Sequence, residues 1–409
     1  MARSGRLLAA AKGDGAVAVG LMVGNVLGYV LALVAARRLG PASFGELSAL
    51  LAVIVVLAVI PTGVQTVVAR AVAQHADHPL VALGRTDVAT RSALLSVLMV
   101  PPVLSLGLAL DASWLASVFA ALLVGPLLVL GWAQGIEQGR EKFGALAMLL
   151  LLNNGGRAVG AVLGVIAWDS VPGALGGALA AAVLAAAYAW ITAGDEEHPR
   201  GRHRGWGAGD VGRASAALLA LFLCTNVDVL LARTVLAAEP AGIYAAGAVM
   251  AKVAFWLPQF AAVTALPRLA DPDRRDSALR VSTGIVIVSS ALIVLACVVG
   301  REPVVRAIGG AEYGALTGAL PWFAVAGGLW ALNQVYLYDA LARRAGHPAR
   351  WLWAALIAMV GLVLVLGVDS VRGVVITVCG CAAASFMAYL VQSSRLPGQV
   401  VVPGHSPGL

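Results

Sequence analysis

The sequence predicts an all-α membrane protein of about twelve transmembrane helices, arranged as two six-helix lobes related by a parallel pseudo-two-fold repeat. Three observations lead there: the apolar content, the spacing of the apolar runs and the placement of the arginines. Of 409 residues, 60% are hydrophobic and only 12% charged, where an ordinary soluble domain carries about 25% charged residues. The apolar runs fall at 16–36, 46–68, 90–110, 113–134, 144–167 and 171–193, then at 214–236, 241–266, 281–300, 316–338, 351–368 and 371–392. A run of about 20 residues crosses a hydrocarbon core of about 30 Å as a helix. The first run has the basic flank of a signal peptide (Arg3, Arg6, Lys12). At about 21 residues its length instead predicts an uncleaved first membrane helix.

With the N-terminus placed in the cytoplasm, 20 arginines and lysines fall in inner segments and 6 in outer ones (Arg37, Arg38, Arg233, Arg301, Arg306, Arg372), with Arg157 and Lys252 left inside spans. That is the asymmetry of the positive-inside rule. It predicts a multi-pass protein of a bacterial cytoplasmic membrane with both termini cytoplasmic. The long polar connector between runs is 194–213, so the expected organisation is an N-terminal lobe at 1–193, a cytoplasmic linker at 194–213, a C-terminal lobe at 214–392 and a cytoplasmic tail at 393–409. Leu33-Val-Ala-Ala-Arg-Arg-Leu-Gly-Pro-Ala-Ser-Phe-Gly45 is echoed by Leu230-Leu-Ala-Arg-Thr-Val-Leu-Ala-Ala-Glu-Pro-Ala-Gly242. In each, a helix ends near arginine, a turn containing proline closes on glycine, and a long apolar helix follows. Six spans separate the copies, so both halves point the same way, as in parallel-repeat transporters.

Several function classes are excluded. The net charge is +7 and the isoelectric point about 9.6, yet the chain has no basic stretch with interleaved aromatics, so no nucleic-acid partner is expected. The four cysteines (Cys224, Cys297, Cys379, Cys381) lie in apolar runs and the six histidines in connectors. No metal site follows from that separation, and no cofactor is expected. A Walker A loop is absent from the sequence.

Charged groups inside a span cost about 2.5–3.5 kcal/mol on insertion scales, so they face a bundle interior or a wet cavity. Arg157, beside Asn153 and Asn154 in the fifth run, and Lys252 in the eighth are candidates to receive a pyrophosphate. Structural roles stand equally open, with Lys252 paired to Asp228 and Arg157 bonded to nearby carbonyls. Asp228 in the seventh run is a candidate for ion pairing or for coupling to a proton or sodium ion. The amides Asn25, Gln65, Asn226, Gln259, Asn333 and Gln334 are either sugar-binding groups or interhelical bonds. Pro101-Pro102 and Pro258 are expected kinks. Trp114, Trp132, Trp168, Trp190 and Trp322 are expected interfacial anchors.

Ala36-Arg-Arg-Leu-Gly-Pro-Ala-Ser-Phe-Gly-Glu46, Gln134-Gly-Ile-Glu-Gln-Gly-Arg-Glu-Lys-Phe143, Asn226-Val-Asp-Val-Leu230, Gly242-Ile-Tyr-Ala-Ala-Gly247 and Leu257-Pro through Ala265-Leu-Pro-Arg-Leu269 occur in that order on the twelve-run frame. Through them the chain resembles the polysaccharide-exporter branch of the multidrug/oligosaccharidyl-lipid/polysaccharide (MOP) flippase superfamily. The resemblance implies a non-enzymatic, alternating-access flippase of a polyprenyl-pyrophosphate-linked oligosaccharide. It further implies membrane lipids and a glycan polymerase or ligase as partners, and a cavity lined by the first, seventh and eighth helices, which favours Asn25, Asn226 and Lys252. Two relatives remain as alternatives. Peptidoglycan-precursor flippases usually carry two further helices. Cation-coupled multidrug exporters commonly use a carboxylate in the first helix, which the run 16–36 lacks.

Overall fold

The computed structural model describes residues 2–73, 85–192, 208–257, 275–342 and 347–395. Among them the chain is helical and contains no strand. Hydrocarbon offers no partner for an open peptide group, so a helix, which satisfies its own backbone, is the form such apolar runs take. Each of the twelve predicted runs is mostly helical over its described part.

The first two runs form one continuous stretch, Ala2–Leu57, extended by Val59–Ala73. It is broken at Gly40, whose φ of 71° lies in the region that favours glycine. Pro41 opens the arm that follows, where its missing N–H costs nothing. The third run is Arg85–Ala109, a helix that passes through Pro101 and Pro102. The fourth is Trp114–Leu122 with Val124–Gly139, the fifth Phe143–Leu151 with Arg157–Trp168, and the sixth Val171–Thr192. In the second half come Ala208–Cys224 with Val227–Val235, Ala238–Trp256, Arg275–Val299, Leu320–Ala342, Arg350–Val365 and Val371–Arg395. Pro258 and Gln259 fall outside the described residues, so the expected kink and the candidate amide there have no structural description. By length and apolarity alone eight helices among the described residues qualify as spans. Twelve is reached because Val19–Ala73 holds two runs, Arg350–Val365 has 16 residues, Ala238–Trp256 forms the eighth, and the tenth is bent by 83° from the short helices Arg301–Gly309 and Ala311–Gly318 before it.

The chain divides into two compact units, Met1–Gly205 and Trp206–Leu409. Within the first, the first helix packs on the fifth, the second on the fourth, the third on the fourth, the fourth on the sixth and the fifth on the sixth. Within the second, the seventh packs on the eleventh, the eighth on the tenth, the ninth on the tenth, the tenth on the twelfth and the eleventh on the twelfth. Adding six to each helix of the first set yields the second. The breaks repeat as well: Leu236 and Ala237 leave the helical conformation before Ala238–Trp256, as Gly40 does before Pro41, although Gly40 does so with positive φ.

The lobes are lined with small residues and faced with large ones. Leu94, Val97 and Leu98 on the third helix, and Val288, Leu292 and Val299 on the ninth, are exposed, as helices bathed in lipid should be. Trp114 and Trp168 are exposed at helix ends and fit interfacial anchoring, whereas Trp132 is buried and packs inside the first lobe. Between the fifth and sixth helices, a Cβ on Gly160 would run into the Gly177 carbonyl and one on Gly164 into the Gly173 carbonyl. Small residues there set the closeness of two backbones. Gly164→Val should therefore lower stability by about 1–3 kcal/mol, while Gly28→Ala, where a Cβ meets open space, should not lower it. Thermal unfolding in detergent checks the contrast.

Candidate functional site

Each lobe holds a polar constellation inside an apolar helix. In the first lobe the fifth helix changes pitch: Leu152–Gly156 forms a single π-helical turn. The sequence there is Asn153-Asn154-Gly155-Gly156, four weak helix formers, and π turns of this kind concentrate at functional sites. Asn154 Nδ2 donates back to the Leu150 carbonyl (3.2 Å). Arg157 Nε donates to the Asn153 carbonyl, and an Nη to Asn154 Oδ1 (3.4 Å). The helix thus holds the half-buried guanidinium by two donors, and a guanidinium has five. Asn153 Oδ1 is buried with no hydrogen-bond partner.

The first helix lies against this turn. A Cβ on Gly24 would sit 2.9 Å from Asn154 Cβ, and one on Gly155 would sit 2.9 Å from Leu27 Cδ1. Asn25, half-buried, follows Gly24. Tyr29, one turn further, carries a buried hydroxyl with no partner; apolarity hid it in the sequence, where it reads as one more core aromatic. Arginine donors, a primary amide and a phenol on adjoining turns are the groups that hold phosphate oxygens and sugar hydroxyls.

In the second lobe the seventh helix breaks at Thr225 and Asn226. Asn226 Nδ2 caps the break by donating to the Phe222 carbonyl (2.9 Å) and to Thr225 Oγ1 (3.2 Å). Asp228 follows, buried. Its Oδ2 accepts from the Tyr244 hydroxyl (2.9 Å), and its Oδ1 is buried without a hydrogen-bond partner. Tyr244 is fully buried and packs edge-on against Phe323. Half-buried Lys252 is within electrostatic reach of Asp228, but the group bonded to the carboxylate is the tyrosine. Opposite charges inside spans made Lys252 the candidate partner in the sequence; a phenol sixteen residues away gives no such signal.

The other amides are placed as follows. Asn333 is fully buried and ties its helix to the twelfth through the Ala382 carbonyl (2.9 Å), with its Oδ1 unpartnered. Gln334 donates to the Tyr338 hydroxyl (2.9 Å). Gln65 joins the second helix to the fourth through Gln138 (2.9 Å). Glu46, the last residue of the first motif, accepts from the Ser113 backbone N–H (2.8 Å). That motif is therefore architectural: it bends the chain at Gly40 and anchors the start of the fourth helix. Among the described residues no cluster of histidine, cysteine and carboxylate side chains could hold a metal.

Comparison with known proteins agrees with this architecture. The family model described as "Polysaccharide biosynthesis protein" matches residues 10–205. No curated protein matches the chain in sequence. Among solved structures, a multidrug-resistance MATE transporter of the MOP superfamily in its inward-facing conformation superposes with a TM-score of 0.71 at 13% identity, covering 93% of this chain and 98% of that one. The lipid II flippase MurJ, inward closed, gives 0.71 at 10% identity over 93% and 87%. A MOP-superfamily transporter from Pyrococcus furiosus gives 0.60 at 14% over 94% and 95%. The chain has the fold of these transporters.

Tyr244→Phe should cost about 1–3 kcal/mol, because it leaves a buried carboxylate without its donor. Combining it with Asp228→Leu should recover part of that loss. Thermal unfolding of the single and double variants checks both.

Proposed function

We propose that this chain, with the fold of the MOP superfamily and an N-terminal half that matches a polysaccharide-biosynthesis family, flips a polyprenyl-pyrophosphate-linked oligosaccharide across the cytoplasmic membrane for surface polysaccharide assembly. The observation that carries the reading is Arg157: a cation in a membrane helix, held by its own π turn with donors to spare, beside an unpartnered buried amide oxygen. One donor is spent on the Asn153 carbonyl, as a structural arginine's would be, and the reading assigns the remaining N–H groups to the pyrophosphate. Under this reading Arg157 grips the pyrophosphate through paired N–H groups, and Lys252 is the second lobe's own candidate cation. Asn25, Asn153 and Tyr29 meet the first sugar.

No nucleotide is required. A pyrophosphate of about two negative charges leaving a cell at 100 mV, inside negative, gains roughly 4–5 kcal/mol from the potential. Export of the head group is then driven by its own charge. Asp228 supports a second reading, cation-coupled export of a drug-like molecule, because its free oxygen is where a proton or sodium ion would load.

The deciding experiment is the leaflet distribution of lipid-linked oligosaccharide in cells lacking the protein. Cytoplasmic accumulation should be cured by the wild type, and not by Arg157→Ala or Lys252→Ala produced at equal level. Arg157→Lys should restore only part, since lysine keeps the charge and loses the fork. Normal leaflet distribution together with altered sensitivity to cationic drugs would overturn the proposal in favour of the second reading.

A further inference from the structure

One buried ion pair lies outside both constellations. Arg275 opens the ninth helix and Asp339 stands near the end of the tenth, one residue past the run that hydropathy drew. Arg275 is 7% exposed and Asp339 0%. Arg275 Nε bonds Asp339 Oδ1 at 2.6 Å and Nη2 bonds Oδ2 at 2.9 Å, a fork on a fork. Nη2 also donates to Ser393 Oγ of the twelfth helix (3.3 Å), and Nη1 bonds the Asp276 carboxylate (3.0 Å). The cluster borders an open groove lined by Leu390 and Val391. Two carboxylates to one guanidinium leave no attraction for an anion, so the cluster is not a second phosphate site.

Its energetics also argue against a role in stability alone. Replacing a buried ion pair by apolar residues of similar volume is often neutral or stabilising, whereas removing one partner is costly. What the pair adds is geometry. Apolar helix faces slide past one another by small steps, and a bidentate arginine–carboxylate pair does not.

We propose that Arg275, Asp339 and Ser393 form a register clasp that keeps the adjoining ends of the ninth, tenth and twelfth helices from sliding, so that this end of the C-terminal lobe moves as one body. The functional consequence rests on the transporter reading; the mechanical one does not. The four native cysteines are buried, so spin labels can be attached at Ser277→Cys and Leu390→Cys of the full chain in lipid nanodiscs. The parent should show one narrow distance. Arg275→Met with Asp339→Leu should keep the thermal midpoint within a few degrees, broaden the distance distribution and slow flipping about tenfold, the scale of a modest coupling energy. Ser393→Ala should broaden it less, and Arg275→Asp with Asp339→Arg should narrow it again. A narrow distribution in the Met/Leu variant would overturn the clasp. If that variant does not fold, a narrow distribution in Ser393→Ala would do so. Because the distances are read without transport, failure of the clasp and failure of the flippase reading are distinguishable.

Discussion

Hydrocarbon solvates neither an open peptide group nor a charge, and every helix in this chain, with every exception inside one, answers to that constraint. Where the helix is regular the backbone closes on itself. Where it is not, a side chain takes over: Asn226 caps the break in the seventh helix, and Asn154 bridges the π turn in the fifth. Charges follow the same rule. Arg275 is matched by Asp339, and Asp228 is bonded by Tyr244. Arg157 departs from the pattern, since its helix orients it without neutralising it, and an un-neutralised cation in a membrane is a place for an anion.

The frame was legible because it is local. Twelve runs of the right length and the Gly40-Pro41 bend are each written in a few consecutive residues. The repeat was legible through one pair of echoed segments, and the packing order of each lobe extends it to every helix. The sites were legible only in part. Arg157 stood out because a charge in an apolar run is conspicuous, but the π turn around it and the close approach of Gly24 to Asn154 carry no signal of that kind. Tyr244 and Tyr29 were hidden among other aromatics. The Arg275–Asp339 pair spans 64 residues, and hydropathy placed both outside the spans. Trp132 shows the same limit: a tryptophan near the end of an apolar run looks like an anchor, and only tertiary packing buries it.

Duplication explains how one frame supports two different constellations. Both lobes keep the same helix pairings and the same proline-marked bend, so the architecture is held in common. The polar insertions are not: the first lobe carries Arg157 with amides and Tyr29, the second Asp228 bonded to Tyr244 with Asn226 and Lys252 near it.

The most direct test is flipping in a purified system. Protein reconstituted into liposomes with a fluorescent polyprenyl-pyrophosphate oligosaccharide, under a potassium-valinomycin potential, should move the lipid toward the positive side faster than empty liposomes do. The rate should fall when the potential is collapsed. Transfer no faster than in empty liposomes, at either potential, would contradict the account.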